Sequence, residues 1–219
     1  MRLENDLLFT PDSVAERARA RLYGEARHAP EDASHSDSGI AGMNPTPDIL
    51  AQARPAAVLI PLLARPQGVT MLLTQRASTL RQHSGQIAFP GGKIDREDDG
   101  PLDAALREAE EEIGLSRQNV TPLGFLGPYF STTGFRITPV VALIDADAPL
   151  ALNHDEVEAV FETPFSFMMD TANHQTHERE WKGQMRRYFA MPYDDHYIWG
   201  VTAGIIRMLW LRLYAPRDC

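Results

Sequence analysis

Apolar positions along the chain fall into blocks divided by polar punctuation. Pro11 is followed by Val14, Ala18 and Leu22 at helical spacing, which predicts an amphipathic helix over residues 11–23 that stops near Gly24. The stretch EARHAPEDASHSDSGIAGMNPTPD that follows is rich in Ser, Asp, Pro and Ala and nearly empty of large apolar side chains. It cannot bury enough surface to order itself, and reads as a linker or mobile loop. The pattern changes at Pro55. AAVLIPLL and VTMLLTQR are strand-like runs separated by Arg65, Pro66, Gln67 and Gly68, the composition of a hairpin. Further on, FLGPYFS, FRITPVVALI, EVEAVFETP and QMRRYFAMPY have strand composition, whereas Ile198 to Tyr214 reads as an apolar helix. No internal repeat is present. The pattern divides the chain into an N-terminal helix and mobile linker, residues 1–54, and a compact mixed α/β domain, residues 55–215.

One block differs from the rest in density of charge. Between Phe89 and Leu115 runs FPGGKIDREDDGPLDAALREAEEEIGL. Pro101 suits the first turn of a helix and Gly114 its C-terminal cap, which predicts a helix of about three and a half turns. At roughly 100° per residue, Leu102, Ala105, Leu106, Ala109 and Ile113 share one arc, the face that must pack on a sheet. Glu108, Glu111 and Glu112 share another arc, and Glu110 falls on the opposite flank. Three converging carboxylates repel one another unless a cation neutralises them. Hard divalent cations take oxygen ligands and bridge carboxylates to substrate phosphates. An acidic helix face can also be merely solvated. The upstream Gly91 and Gly92 tilt the balance, because glycine lets a backbone approach a phosphate or metal that a side chain would block.

Composition adds limits rather than detail. With 219 residues and 24.4 kDa, the chain fits one decorated domain better than two with separate cores. Its net charge of −9 disfavours the phosphates of long nucleic acids, and no long basic cluster offsets it. No apolar run approaches the ~18 residues that cross a bilayer, and MRLENDLLFT lacks the apolar core of a signal peptide, so a cytoplasmic enzyme without a membrane partner is expected. The one cysteine, Cys219, stands last in the chain, where disulfide or catalytic chemistry is improbable.

The charged block resembles the Nudix box, whose usual form is G, five residues, E, seven residues, R-E-U, one residue, E-E, one residue, G-U, with U apolar. Gly92, Asp98, Arg107, Glu108, Ala109, Glu111, Glu112, Gly114 and Leu115 occupy its positions. The departures are Asp98 in place of Glu and eight residues instead of seven before Arg107. Directly upstream, LLTQRASTLRQHSGQIAFPGG is similar to the signature L-L-T-x-R-[SA]-x3-R-x3-G-x3-F-P-G-G of the coenzyme A pyrophosphatase subfamily. It matches at Leu72, Leu73, Thr74, Arg76, Ala77, Arg81, Gly85, Phe89, Pro90, Gly91 and Gly92. Looser similarity runs on to about residue 210.

The resemblance implies a Nudix α/β/α sandwich with a mixed sheet and a loop-helix-loop catalytic box. It also implies hydrolysis of the pyrophosphate bond of coenzyme A or acyl-CoA with Mg²⁺ or Mn²⁺. Glu108 and Glu112 would be metal ligands, Glu111 a further ligand or the base that orients water, and Arg107 would orient carboxylates. A carbonyl of the Gly91–Gly92 turn would complete the coordination. Arg76 and Arg81 would grip the 3′-phosphate or the pyrophosphate bidentately, with surface salt bridging as the competing reading. Glu156 and Glu158 read as a solvated strand end, though some Nudix enzymes place a further acid there. Tyr197 and Trp199 could stack on a base but read more naturally as core. The competing readings are a Nudix hydrolase of other nucleoside diphosphate conjugates, such as ADP-ribose or NADH, and a noncatalytic nucleotide sensor. A homodimer with the N-terminal helix laid across the partner is one arrangement the sequence permits.

Overall fold

The computed structural model describes residues 8–27, 51–80, 83–181 and 183–216. Strand β1 (Arg54–Arg65) turns through Pro66 and Gln67 into β2 (Gly68–Arg76), with Arg65 paired to Gly68, so the predicted hairpin is present. Two short strands follow, β3 (Ile87–Ala88) and β4 (Gly91–Lys93), and then the glutamate helix α2 (Pro101–Ile113); the N-terminal helix α1 spans Pro11–Arg21. Next come β5 (Val120–Phe125), β6 (Tyr129–Phe130), β7 (Phe135–Ile144), β8 (Val157–Pro164) and the short helix α3 (Phe165–Met169). The chain ends in β9 (Gln175–Trp181), β10 (Gln184–Tyr193), β11 (His196–Trp199) and helix α4 (Val201–Leu213).

Strands β1 to β8 form one mixed sheet with the path β3-β2-β1-β7-β5. β1 and β7 run parallel over ten residue pairs, and β2 with β8 is antiparallel. The sheet is covered on both faces, and the side-chain alternation of β1 shows how. Ala56, Ile60 and Leu62 enter one core with α1, α3 and α4, whereas Ala57, Leu59 and Leu63 enter a second core with α2. Strands β9 to β11 make a separate antiparallel sheet whose Met191 and Ile198 join the first core. This is the α/β/α sandwich that the resemblance implies, and the mixed α/β domain that the residue pattern predicts.

Helix α1 starts where Thr10 accepts a hydrogen bond from the Ser13 amide. Its apolar side, Val14, Ala15 and Ala18, is buried in the α4 core, and Arg17 and Arg21 donate to the carbonyls of Leu213 and Ala215. That side is covered by its own chain, so a homodimer would have to use another surface. The linker expected after Gly24 falls almost wholly on residues 28–50, outside those described.

One boundary corrects the sequence reading. Ile198 and Trp199 belong to β11, and α4 starts only after Gly200. Gly200 has φ 63°, a left-handed turn that breaks the apolar run into strand and helix, which hydropathy alone cannot see. No helix among the described residues is long and apolar enough to cross a membrane.

Candidate active site

The two glycines of β4 sit between β1 and α2, each for a steric reason. Gly91 pairs with Val58 and has φ 154°; a Cβ there would lie 2.7 Å from the Val58 Cα and overlap the Ala57 carbonyl oxygen. At Gly92 a Cβ would overlap the carboxylate of Glu108. The backbone of β4 is thereby pressed against a neighbouring strand on one side and a helix carboxylate on the other.

Glu112 points inward from the last turn of α2 and is 3% exposed. The Gly91 amide donates to its Oε2 at 3.2 Å, and the Arg76 guanidinium lies 3.4 Å from its Oε1. Arg76 ends β2 at a register shift between Gln75 and Arg76, an irregularity of the kind that re-aims a side chain. Burial pushes the Glu112 carboxyl up to about 7; Arg76 and the Gly91 amide pull against that rise, and repulsion from Glu108 and Glu156 adds to it. Glu108 is raised as well, by burial first, with Arg107 opposing and Glu111 and Glu156 adding.

Arg107 organises the other carboxylates. It donates twice to Asp98 at 2.9 and 3.0 Å, once each to Glu108 and Glu111 at 3.1 Å, and to the Lys93 carbonyl at 3.1 Å. The Asp98 side chain is 2% exposed, and Arg107 holds it below the usual carboxylate range. This bidentate pair ties the loop after β4 to the helix. Glu111 stays on the open side of α2, 56% exposed, and Glu110 stands on the other flank near Arg117.

A cavity of about 510 Å³ opens beside Arg76 and Gly91. Gln86 and Phe89 form part of one wall, and Phe135 and Ile137 of β7 another. The second sheet and α4 add Arg179, Arg186, Tyr188, Trp199 and Thr202 to the lining. Thr202 donates to the Ile87 carbonyl at 2.9 Å, which pins the first turn of α4 to β3.

The NUDIX domain model matches residues 53–189. The chain belongs to the NUDIX family. Over 160 residues it is 44% identical to proteins described as the uncharacterized Nudix hydrolase NudL of Escherichia coli O7:K1 and of Escherichia fergusonii, covering 73% of this chain and 83% of each relative. A solved Ap4A hydrolase from C. elegans shares 21% identity over 50% of this chain and 80% of its own, with a TM-score of 0.44. The protein is a Nudix hydrolase, an enzyme that hydrolyses the diphosphate of a nucleoside diphosphate-linked substrate.

Within this Nudix domain the residues of the box come together unevenly. Glu108, Glu112, Arg107, Gly91 and Gly92 form one connected group, with Arg76 reaching it from β2. Glu111 shares the Arg107 Nη1 with Glu108, 3.1 Å from each carboxylate, but stays 56% exposed while Glu112 is buried. Among the described residues no three His, Cys, Asp or Glu side chains are gathered into a cluster that could hold a metal ion, and the two most buried carboxylates of the helix are Glu108 and Glu112. Arg81 lies outside the described residues.

Nudix hydrolases use divalent cations, and the donor set of this site suits one. Glu108 and Glu112 are hard oxygen donors whose negative charge is disfavoured by burial and by mutual repulsion. A hard cation such as Mg²⁺ is commonly held by only one or two protein carboxylates together with substrate phosphates.

Three features escaped the sequence reading. Glu156 is felt electrostatically by both Glu108 and Glu112 and is not merely a solvated strand end, whereas Glu158 is exposed. Trp199 lines the cavity instead of filling a core, and Tyr197 is 41% exposed. Strand β9, QTHEREW, lacks the apolar alternation of a strand because it is polar up to its terminal Trp181. Its signal is the period-two placing of His177 and Arg179, matched by Arg186 and Tyr188 in β10.

Proposed function

We propose that this Nudix hydrolase cleaves the diphosphate of coenzyme A or an acyl-CoA, giving adenosine 3′,5′-bisphosphate and 4′-phosphopantetheine or its acyl form. One observation carries the reading. The segment that resembles the coenzyme A signature contributes Arg76, Gln86, Phe89 and Gly91 to the wall of the cavity beside Glu112. That shared lining supports reading the signature as part of a substrate site next to the buried carboxylates.

Glu108 and Glu112 would hold Mg²⁺ or Mn²⁺, with Glu111, Glu156 or a carbonyl of the Gly91–Gly92 turn as further ligands. Bound there, the cation supplies charge neutralisation for the diphosphate oxygens. The protein does the rest by position. Arg107 fixes the direction of Glu108 and Glu111 from below, leaving Glu111 free at its exposed edge to orient water or accept its proton. Arg76, already beside Glu112, presents a guanidinium to a diphosphate oxygen. Arg81 of the same signature is assigned to the substrate phosphates with it. Attack by one water at one phosphorus breaks the P–O–P bridge, and the bridging oxygen leaves with the other phosphate.

A substrate panel tests the proposal. With Mg²⁺, kcat/KM for coenzyme A should exceed that for ADP-ribose and for NADH by at least tenfold. Equal or faster hydrolysis of either conjugate rejects coenzyme A as the substrate.

A further inference from the structure

Part of the cavity lining is made by one face of the β9–β11 sheet, and its charges are arranged unfavourably. Arg179 and Arg186 are direct cross-strand partners in the β9–β10 register. Like charges placed opposite each other destabilise a strand pair unless something neutralises them. Among the described residues neither forms an ion pair with a carboxylate, and the Nε of Arg186 is buried without a hydrogen-bond partner. Their neighbour Arg187, which also reaches the cavity rim, is closed by Glu178 at 2.7 Å. Beside the unpaired arginines on the same face stand Tyr188 and Trp199, with ring centroids 5.3 Å apart.

We infer that Arg179 and Arg186 form a second phosphate subsite, distinct from the diphosphate site at Arg76. It takes a phosphomonoester carried on the ribose of the substrate. Two guanidinium groups facing each other across antiparallel strands can both donate to one dianionic phosphate, and that phosphate removes their repulsion. The aromatic rings beside them offer planar surface to the attached base. One cavity is thus lined by guanidinium groups from two different sheets, Arg76 of β2 beside Glu112 and Arg179 with Arg186 of the β9–β10 pair. On the coenzyme A reading, on which the identity of the bearer rests, the group at the second subsite is the 3′-phosphate. The subsite then explains physically how this enzyme would separate coenzyme A from ADP-ribose and NADH, which lack that phosphate.

The test compares coenzyme A with dephospho-coenzyme A, on wild type and on the double variant Arg179→Gln/Arg186→Gln. Wild type should favour coenzyme A by on the order of tenfold to a hundredfold in kcat/KM, as a site built for a charged group rejects an analogue lacking it. In the double variant that ratio should collapse toward one. A single Arg186→Lys variant, which keeps the charge, should retain most of it. Calorimetry with adenosine 3′,5′-bisphosphate and AMP gives an arm independent of turnover, with the wild-type preference for the bisphosphate lost in the double variant. Equal losses on both substrates with the ratio preserved, or a wild type blind to the extra phosphate in both arms, overturn the subsite. Failure of wild type to hydrolyse either coenzyme, with the calorimetric preference intact, overturns the coenzyme A reading and leaves the phosphate subsite standing.

Discussion

Helices α2 and α4 are both thirteen residues long, both follow a glycine with positive φ, and neither has a side-chain cap, yet they lie on opposite faces of the central sheet and do opposite things. α4 buries eight residues, among them Ile205, Ile206, Leu209 and Leu213, and gives the cavity only Val201, Thr202 and Ile205 near its start. α2 buries five, three of which are alanines, and a fourth is Glu112. The alanines let α2 approach β1 closely enough for a carboxylate in its last turn to reach the Gly91 amide. Its partners are charges fixed in number and direction. Those of α4 are mostly apolar contacts whose strength follows area buried. Damage to the two helices should therefore register in different measurements.

The largest effect is expected from Glu112→Gln. It keeps the shape and the possible Gly91 contact but removes the buried negative charge, and kcat should fall on the order of a thousandfold. Its Tm should not fall, because a neutral amide no longer suffers the desolvation that raises Glu112. Retention of full activity would show that this carboxylate holds nothing catalytic. Next comes Gly92→Ala, whose new methyl overlaps the Glu108 carboxylate and must displace it. A loss of roughly tenfold to a hundredfold in kcat/KM is expected. Unchanged kinetics would mean that the position of Glu108 is irrelevant.

The matching change on the other helix is Gly204→Ala, where the added methyl overlaps the buried Tyr129 ring. Overpacking of this kind costs about 1–3 kcal/mol, so denaturant unfolding should report the loss while kcat changes little. A kinetic defect without a stability defect would break the contrast between the two helices. The smallest effect concerns His174, which packs near α4. Its Nε2 lies 2.7 Å from the Met168 carbonyl, and the Arg207 guanidinium lies 3.3 Å from its Nδ1. Burial, with Arg207 adding, lowers its pKa, so the folded state favours the neutral ring. Stability from this group is present above the unfolded-state pKa of about 6.5 and is lost as pH falls through the lower folded value. On moving from pH 7.5 to pH 5, wild type should lose about 2 °C more in Tm than His174→Gln. An equal loss in both would clear His174 of the acid sensitivity.

The same contrast decides what the sequence revealed. α2 was legible to the residue, from Pro101 to the left-handed Gly114, because its boundaries are marked by backbone chemistry and its function by charge at fixed spacing. Even there, the wheel could group Glu111 with Glu108 and Glu112 but could not foresee that Glu111 stays exposed while Glu112 is buried. α4 was blurred into β11, since an apolar run looks alike in strand and helix. The β9 wall was invisible for the opposite reason. Arg179 and Arg186 stand in polar segments whose meaning appears only when the register sets them face to face. Local chemistry is written in sequence order, whereas a wall assembled from distant strands is not.

The most direct single measurement is mass-spectrometric product analysis of coenzyme A incubated with Mg²⁺ and either wild-type protein or Glu112→Gln. Wild type should yield equal amounts of 4′-phosphopantetheine and adenosine 3′,5′-bisphosphate, with neither product above background in the variant. Absence of both products with wild type, or their undiminished formation by the variant, would contradict the assignment of coenzyme A hydrolysis to the carboxylates of α2.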